Sequence, residues 1–316
     1  MLNETTIHTI TLVQDQFTKW VLIPCFFIGN ITNILNCFIF LQQSLRTQVC
    51  PIYFVCVSIT NLFVIDFLLL TRVMMSGFEY DPTTWSDLFC KLRTYLWFVF
   101  SQWPRSFLVL TCIDRYLISS PNANYRKMSQ KKYLKYIIPI NIFLWSALPL
   151  HVPFNMIIIN RSCVSLPGFY YILNTVYNLL TSAVIPILIL SIFSLLIIKN
   201  VHRQGRRIHG LVVQRRCRNE RHGDQLTLML LSHVLIYIII NLLNPIFQLY
   251  LLITDSREKS LEKIALNNFI NVLSIELPYV SCSLTFCIYT LTSKTFRTEF
   301  KRLINRKVIV IFKITP

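Results

Sequence analysis

Residues 170–198 read YYILNTVYNLLTSAVIPILILSIFSLLII and contain no Asp, Glu, Lys or Arg. A helix needs about 20 mostly apolar residues to cross the hydrocarbon core of a bilayer. Similar runs recur along the chain, which is 54% hydrophobic and only 14% charged, whereas a soluble domain carries about 25% charge. The sequence therefore predicts a membrane protein. It argues against a disordered chain, a collagen, a small disulfide scaffold and a water-soluble α/β enzyme.

Seven stretches meet the length requirement and predict an all-α bundle of seven transmembrane helices, called spans one to seven below. They are Trp20–Leu41, Ile52–Met75, Leu92–Ile113, Tyr136–Ile158, Tyr170–Ile198, Leu226–Ile253 and Ile264–Leu291. Span three is the least apolar because it carries Arg93, Pro104 and Arg105. The predicted organisation is an extracellular N-terminus over residues 1–19, the bundle over 20–291 and a cytoplasmic segment over 292–316.

The distribution of basic residues predicts the orientation of the bundle, because cytoplasmic loops are enriched in Lys and Arg. The loops after spans one, three and five and the C-terminal segment hold 22 of the 31 Lys/Arg residues but only four of the 14 Asp/Glu residues. That face is predicted to be cytoplasmic. The net charge of +17 then describes a basic membrane face, and no nucleic-acid partner is expected.

The other face of the bundle is predicted to be extracellular and carries two possible modification sites. Asn3 and Asn160 each begin an N-x-S/T sequon on that side and are the predicted glycosylation sites. Of the ten cysteines, eight fall within spans or on the cytoplasmic side, where thiols stay reduced. Cys90 and Cys163 are left facing the oxidising compartment, which predicts one disulfide. Two free thiols are the alternative.

The tripeptide Asp114-Arg115-Tyr116 lies at the inner end of span three, and Cys90 precedes Arg115 by 25 residues. A helix of that length extends about 37 Å, enough to reach both interfaces of a bilayer. This arrangement resembles the rhodopsin-like (class A) G-protein-coupled receptors over about Thr18–Arg306. Further matches are Asn33, Asn61, Trp145, Pro186, Pro245 and Tyr289. The chain is also similar to invertebrate neuropeptide receptors of the FMRFamide-receptor type.

The resemblance implies a plasma-membrane receptor that binds an extracellular, peptide-like ligand and activates a heterotrimeric G protein, without a cofactor. It implies that Asp114, Arg115, Tyr116 and Tyr289 act in activation and coupling. After span seven, Phe296, Phe300, Leu303 and Ile304 recur at helical spacing opposite Lys and Arg. This pattern predicts a short amphipathic eighth helix on the inner leaflet.

Several positions depart from the pattern of the family. Asn61 stands where an Asp usually helps to hold a sodium ion, and Leu243 replaces the tryptophan of the CWxP motif. Thr285 and Phe286 replace the NP of NPxxY. These changes leave open a seven-helix protein that binds a ligand without coupling. A secondary transporter is a more distant alternative, opposed by the odd number of spans and by the lack of a visible internal repeat.

The outer half of the bundle offers candidate ligand contacts in Trp97, Phe98 and Arg72. Trp97 occupies the place where receptors for biogenic amines have an Asp, which argues against an amine ligand. Arg72 can meet the C-terminal group of a peptide. Five acidic residues of the outer loops can meet a basic peptide; they are Glu79, Asp81, Asp87, Asp255 and Glu258. Ordinary packing is the alternative role for the aromatic residues.

Charged residues inside the spans are expensive to bury and are treated as functional candidates. Asp66 in span two and Glu276 in span seven lie at a depth similar to that of Arg105. We hypothesise that Arg105 pairs with one of these acids at the base of a ligand cavity, since an unpaired guanidinium there is costly. Snorkelling or a water-filled pocket is the alternative.

Motifs of enzymes are missing from the sequence. It contains no G-x-S-x-G, no Walker A motif, no H-E-x-x-H and no paired-cysteine zinc spacing. The sequence therefore predicts neither an enzyme nor a metal site.

Overall fold

A computed structural model describes residues 9–10, 12–14, 16–78, 80–208, 217–254 and 261–314, without the side chains of 204–208, 217–222, 251–253, 262 and 306–314. These residues form long helical rods in the order that the seven spans predict, followed by a C-terminal helix. Six rods are long and apolar enough to cross a membrane. The remaining one, span three, is less apolar than that criterion requires but is the longest uninterrupted α-helix among the described residues.

Spans one to three have the following bounds. Span one runs from a π-helical turn, Thr18–Leu22, into an α-helix, Ile23–Phe40. Span two joins two α-helices, Val49–Phe63 and Leu70–Gly77, through a π-helical stretch, Val64–Leu69. Span three is the single helix Asp87–Ser119, which begins where the side chain of Ser86 accepts a hydrogen bond from the N–H of Phe89.

The bounds of the remaining spans are as follows. Span four is the α-helix Leu134–Ala147, extended by the 3₁₀ turns Leu148–His151 and Pro153–Asn155. Span five joins Phe169–Leu179 and Ile185–Ile208 through a π-helical turn, Leu180–Val184. Span six consists of Cys217–Asn241 and Leu243–Ile253. Span seven is Leu261–Thr292, with Pro278 inside it.

The predicted end of span four, Ile158, is wrong. The helical backbone ends at Asn155, and the next residues form strand β1, Met156–Ile159. Proline lacks the N–H that an α-helix needs, and Pro149 and Pro153 accordingly lie in the 3₁₀ turns where the regular helix ends. Strand β1 pairs antiparallel with β2, Ser162–Ser165, so that its backbone groups are hydrogen-bonded in a hairpin.

Span three lies at the centre of the bundle and contacts spans two, four, five and six, while span one packs against spans two and seven. Large apolar side chains remain exposed around the outside, among them Phe27, Ile31 and Phe143. Such a belt is what the lipid-facing surface of a membrane bundle requires. Below, the end that holds Cys90 and Cys163 is called the disulfide end, and the opposite end is called the Arg115 end.

A glycine sets the spacing of spans one, two and seven. A Cβ atom on Gly29 would lie 2.6 Å from Oγ of Ser283 and 2.7 Å from Cδ1 of Ile65. Real Cβ atoms essentially never make contacts this short, so a larger residue at this position would force the side chains of Ser283 and Ile65 to move.

The eighth helix is present as Lys294–Ile314, but its apolar face is partly used within the protein. Phe296 is buried, with its ring 5.3 Å from that of Phe40, and Phe300 lies 5.3 Å from Phe286, measured between ring centroids. Ile304 is exposed. The start of this helix therefore packs against spans one and seven, whereas Ile304 is free to meet lipid.

Candidate functional site

A cavity of about 90 Å³ lies in the interior of the bundle. Spans two, three, five, six and seven contribute its lining. Apolar and aromatic residues such as Leu68, Trp97 and Tyr279 line it together with polar residues such as Ser101 and Asn244. Enclosed, mostly apolar pockets with a few polar groups are the usual form of a ligand site in helix bundles.

The two aromatic candidates of span three point in different directions. Trp97 lines the cavity. Phe98 is buried in a cluster with Cys90, Val152 and Met156 beneath the hairpin, and its ring lies 5.6 Å from that of Tyr177. Of these two candidates, Trp97 is therefore the one placed to meet a ligand in the cavity, whereas Phe98 supports the packing of spans three and five.

Glu276 forms an ion pair with Arg72, whose Nε donates to Oε1 of Glu276 at 3.1 Å. The carboxylate is fully buried and Arg72 is 16% exposed. The hydroxyl of Thr18 also donates to Glu276 at 3.2 Å. Spans one, two and seven are thus tied together by one carboxylate, and Thr18, which the sequence assigned to the N-terminal segment, belongs to the helix of span one.

The hypothesis that Arg105 pairs with Asp66 or Glu276 is wrong. Glu276 is bonded to Arg72, and Asp66 lies on the exposed surface of span two. Arg105 lines the cavity instead, and its buried Nη1 has no hydrogen-bond partner among the described residues. Of the alternatives, snorkelling or a water-filled pocket, the position of Arg105 in the cavity wall fits the pocket.

The acidic residues of the outer loops have local roles where the structure describes them. Oδ1 of Asp81 accepts hydrogen bonds from the backbone N–H of Thr83 at 2.9 Å and from its hydroxyl. Asp87 pairs with Lys91 at 2.6 Å on the surface. Glu79, Asp255 and Glu258 lie outside the described residues.

The predicted disulfide between Cys90 and Cys163 is present, with the two Cα atoms 5.7 Å apart. It attaches strand β2 of the hairpin to the start of span three. The exposed Asn160 and Arg161 form the turn of the hairpin, both with positive φ angles. Asn160 is thus on an exposed loop, as a glycosylation acceptor must be, while Asn3 lies outside the described residues.

At the Arg115 end, Asp114 and Arg115 are buried side by side, 4% and 3% exposed, with Nη2 of Arg115 3.5 Å from Oδ2 of Asp114. The hydroxyl of Ser129, in the loop after span three, donates to Oδ1 of Asp114. Nε and Nη2 of Arg115 have no hydrogen-bond partner within the described part of the chain. Buried donors without partners cost free energy.

The other two residues of the predicted activation set occupy different layers. The ring of Tyr116 packs against Phe193 of span five at 5.4 Å. Tyr289 is fully buried, and its hydroxyl lies 2.9 Å from Nδ1 of His233 in span six. Its ring contacts those of Phe40 and Phe54 at 5.5 and 5.2 Å. Tyr289 therefore joins spans six and seven above the eighth helix.

Two contacts of span six were missed by the sequence analysis. His233 bonds to Tyr289, as described, and Oε1 of Gln225 accepts from both the N–H and the hydroxyl of Thr295, at 2.5 and 2.7 Å. Gln225 thereby caps the start of the eighth helix. The histidine could have been found, because a polar ring inside an apolar span is a functional candidate; the glutamine carried no comparable signal.

Two of the positions that depart from the family pattern, Asn61 and Thr285, belong to a connected polar network. Nδ2 of Asn61 donates to Oδ1 of Asn33 at 3.2 Å, and the hydroxyl of Thr285 reaches the same oxygen at 3.4 Å. Asn36 donates to Thr285 at 3.2 Å. Asn33 thus meets span two, and amides take the place of a carboxylate between spans one, two and seven.

The described residues contain no cluster of three or more His, Cys, Asp or Glu side chains that could hold a metal ion.

Comparison with curated proteins gives no match. Residues 29–295 match the family described as 7 transmembrane receptor (rhodopsin family). The match includes both disulfide cysteines, the Asp114-Arg115-Tyr116 tripeptide and Tyr289, and the members of this family are signalling receptors and not enzymes. The chain therefore belongs to the rhodopsin-like family of G-protein-coupled receptors, which are multi-pass membrane proteins with seven helices.

Proposed function

We propose that this chain is a plasma-membrane receptor that binds an extracellular peptide at the disulfide end and activates a heterotrimeric G protein at the Arg115 end. In this orientation the N-terminus is extracellular and the C-terminus is cytoplasmic. The charge distribution supports it, because the loops beside Arg115 and the eighth helix carry most of the Lys and Arg residues.

A peptide ligand is supported by the chemistry of the disulfide end. No Asp or Glu lies among the described residues that line the cavity, so an ammonium ligand lacks its counter-ion. Arg93 has no ion-pair partner within 4 Å in the described chain, and its Nε donates only to the hydroxyl of Thr71, at 3.3 Å. We infer that Arg93, rather than the already paired Arg72, donates to the C-terminal carbonyl or carboxylate oxygen of the peptide.

The proposal that the chain couples to a G protein depends mainly on the contacts of span six. Span six lines the cavity through Tyr237 and Asn241, and it is bonded to its neighbours at the Arg115 end through His233 and Gln225. A ligand that moves span six at the cavity therefore strains or releases those bonds. Each is worth about 1 kcal/mol, which the difference in ligand affinity between two states can overcome.

The proposal is tested in cells that express the full chain, screened with a peptide library for G-protein activation. We expect at least one peptide to activate. Arg115→Ala should then reduce activation more than tenfold while peptide binding is retained. Lys127→Ala, an exposed basic residue on the same face, is the matched control and should signal normally. Equal signalling by both variants would contradict the proposed role of Arg115.

A receptor that binds without coupling is the second candidate, favoured by Leu243 and Phe286 at two positions of the family's switch motifs. Phe286 packs against Phe296 and Phe300 of the eighth helix, and we infer that this contact opposes opening of the Arg115 end. If a labelled peptide binds the wild-type chain but no class of G protein is activated, this second candidate replaces the first.

The finer similarity to FMRFamide-type receptors belongs to the same proposal. It predicts that short peptides ending in an Arg-Phe-amide are preferred over unrelated peptides of the same length. The peptide library therefore contains an amidated set and the matching free-acid set. Equal potency of the two sets would remove the subfamily assignment but would leave the proposed peptide receptor intact.

A further inference from the structure

The side chain of Arg105 presents a charged group to the interior cavity. It lies in the middle of span three, lines the cavity, and has a buried Nη1 without a hydrogen-bond partner among the described residues. A guanidinium cannot lose its proton in a protein, so the charge remains wherever the side chain is buried. The structure therefore places a permanent positive charge, with an unused donor, on the wall of a cavity.

A second unused donor faces the same cavity from span six. Tyr237 is buried, lines the cavity, and its hydroxyl has no hydrogen-bond partner in the described structure. The hydroxyl lies close enough to Arg105 for the two groups to interact electrostatically. Arg105 and Tyr237 thus converge from two different spans. The tyrosine oxygen can accept from Arg105, and both groups keep further protons to donate.

The described surroundings supply no negative charge for these donors. None of the described cavity-lining residues is acidic, and Asn61 stands at the floor of the cavity as a neutral amide. The carboxylate of Glu276 is used by Arg72 and Thr18, and Asp66 is exposed on the outside of span two. Arg105 is half-buried and its Nη1 is fully buried. A charge taken partly out of water without a counter-charge is destabilising, and a bound anion offsets that cost.

We propose that this cavity is a binding site for a small monovalent anion of the size of chloride, held by Nη1 of Arg105 and the hydroxyl of Tyr237. The cavity of about 90 Å³ has room for it, since about 10–15 Å³ on this measure suffices for a water molecule. The anion bridges spans three and six. This inference concerns the unliganded chain and does not depend on the proposed peptide or G protein.

The test is thermal unfolding of the purified full chain in detergent, at constant ionic strength, with no peptide present. Buried thiols such as Cys50 and Cys112 report unfolding through a thiol-reactive dye. Sodium chloride, choline chloride and sodium gluconate are compared. We expect Tm to be equal in the two chloride salts and about 4 °C lower in gluconate, the shift expected when chloride exceeds its Kd some thirtyfold.

Variants assign the effect to the site. Arg105→Gln should abolish the difference between chloride and gluconate, and Tyr237→Phe should raise the chloride concentration for half-maximal effect about tenfold. Lys91→Gln, in the same helix but paired with Asp87 on the surface, is the control and should keep the full difference. The wild-type and Tyr237→Phe titrations decide the matter even if Arg105→Gln does not fold.

Three results would overturn the proposal. The first is the same Tm of the wild-type chain in all three salts, which would mean that water alone solvates Arg105. The second is a Tm that is equal in the two sodium salts and lower in choline chloride, which would assign the effect to the cation. The third is an anion dependence that survives both Arg105→Gln and Tyr237→Phe, which would place the anion elsewhere.

Discussion

The two ends of the bundle are held together by different kinds of contact. At the disulfide end, Cys90 and Cys163 are covalently joined, and the buried carboxylate of Glu276 is shared by Arg72 and Thr18. At the Arg115 end, Tyr289 meets span six through one hydrogen bond to His233, and packed aromatic rings surround it. The first end is fastened by strong contacts, and the second by several weak ones.

This difference suits a molecule that receives a signal at one end and rearranges at the other. Strong contacts keep a binding site in one shape, so that little binding energy is spent on ordering it. Weak contacts let a modest difference in ligand affinity shift the population between two arrangements, since a tenfold shift needs only about 1.4 kcal/mol. The predictions below test whether the two ends differ in this way.

The largest effect is expected from breaking the disulfide with Cys90→Ser. The bond closes a loop with a sequence separation of 73, and the loss of such a cross-link destabilises by about 2–5 kcal/mol. We expect a lower Tm of the purified chain and less protein at the cell surface. Cys287→Ser, an exposed free cysteine, is the control. A Tm within 1 °C of the wild type for both variants would show that the disulfide end does not depend on this bond.

A smaller loss is expected from Glu276→Gln, which leaves Arg72 without its counter-charge. Breaking a buried pair costs about 3–5 kcal/mol, and the 16% exposure of Arg72 lowers our expectation to about 2–3 kcal/mol. The loss is measured by thermal unfolding. The double variant Arg72→Gln/Glu276→Gln should recover part of it, because no buried charge is then unpaired. A double variant that is less stable than Glu276→Gln would contradict the ion-pair interpretation.

The order of the helices and the disulfide could be predicted from the sequence because both depend on local or compartment-level physics. Apolar runs identify spans whatever their neighbours are, and only two cysteines faced the oxidising side. The end of span four could not be placed, because Met156 to Ile158 are equally apolar in a helix and in a strand. Their pairing with β2 decides between the two, and that pairing is not a local property.

The partners of the buried charges were predicted incorrectly because depth alone does not fix them. Asp66, Arg105 and Glu276 lie at similar depth, but pairing also requires that the side chains face one another. Asp66 follows Asn61 by five residues, which is about 140° around an α-helix, and the structure has Asn61 buried and Asp66 exposed. In spans that are apolar on every side, hydropathy gives little information about this rotation.

At the Arg115 end, His233→Phe should produce a signalling effect rather than a large loss of stability. The variant removes a single hydrogen bond worth about 0.5–1.5 kcal/mol and keeps a ring in the aromatic cluster. Ligand-independent G-protein activation should rise about two- to tenfold, while Tm changes little. Tyr289→Phe should act similarly. Because both variants remove the same bond, the double variant should add nothing further; additive effects would show that the two residues act separately.

The smallest effect is expected from Gln225→Ala, which uncaps the eighth helix. Oε1 of Gln225 accepts from the N–H of Thr295 and from its hydroxyl, and the N–H is one of those that a helix start leaves without an internal partner. Loss of a helix cap costs about 1 kcal/mol. Gln225 is half-exposed, so water can take the place of its side chain. Basal activation should therefore rise by less than threefold. Thr295→Val removes only the hydroxyl and should have about half that effect in free energy.

Thr298→Val is the control and should have no effect, because the hydroxyl of Thr298 bonds within its own helix, to the carbonyl of Lys294. An effect of Thr298→Val equal to that of Gln225→Ala would mean that the eighth helix influences activation through its own stability, and not through its bond to span six.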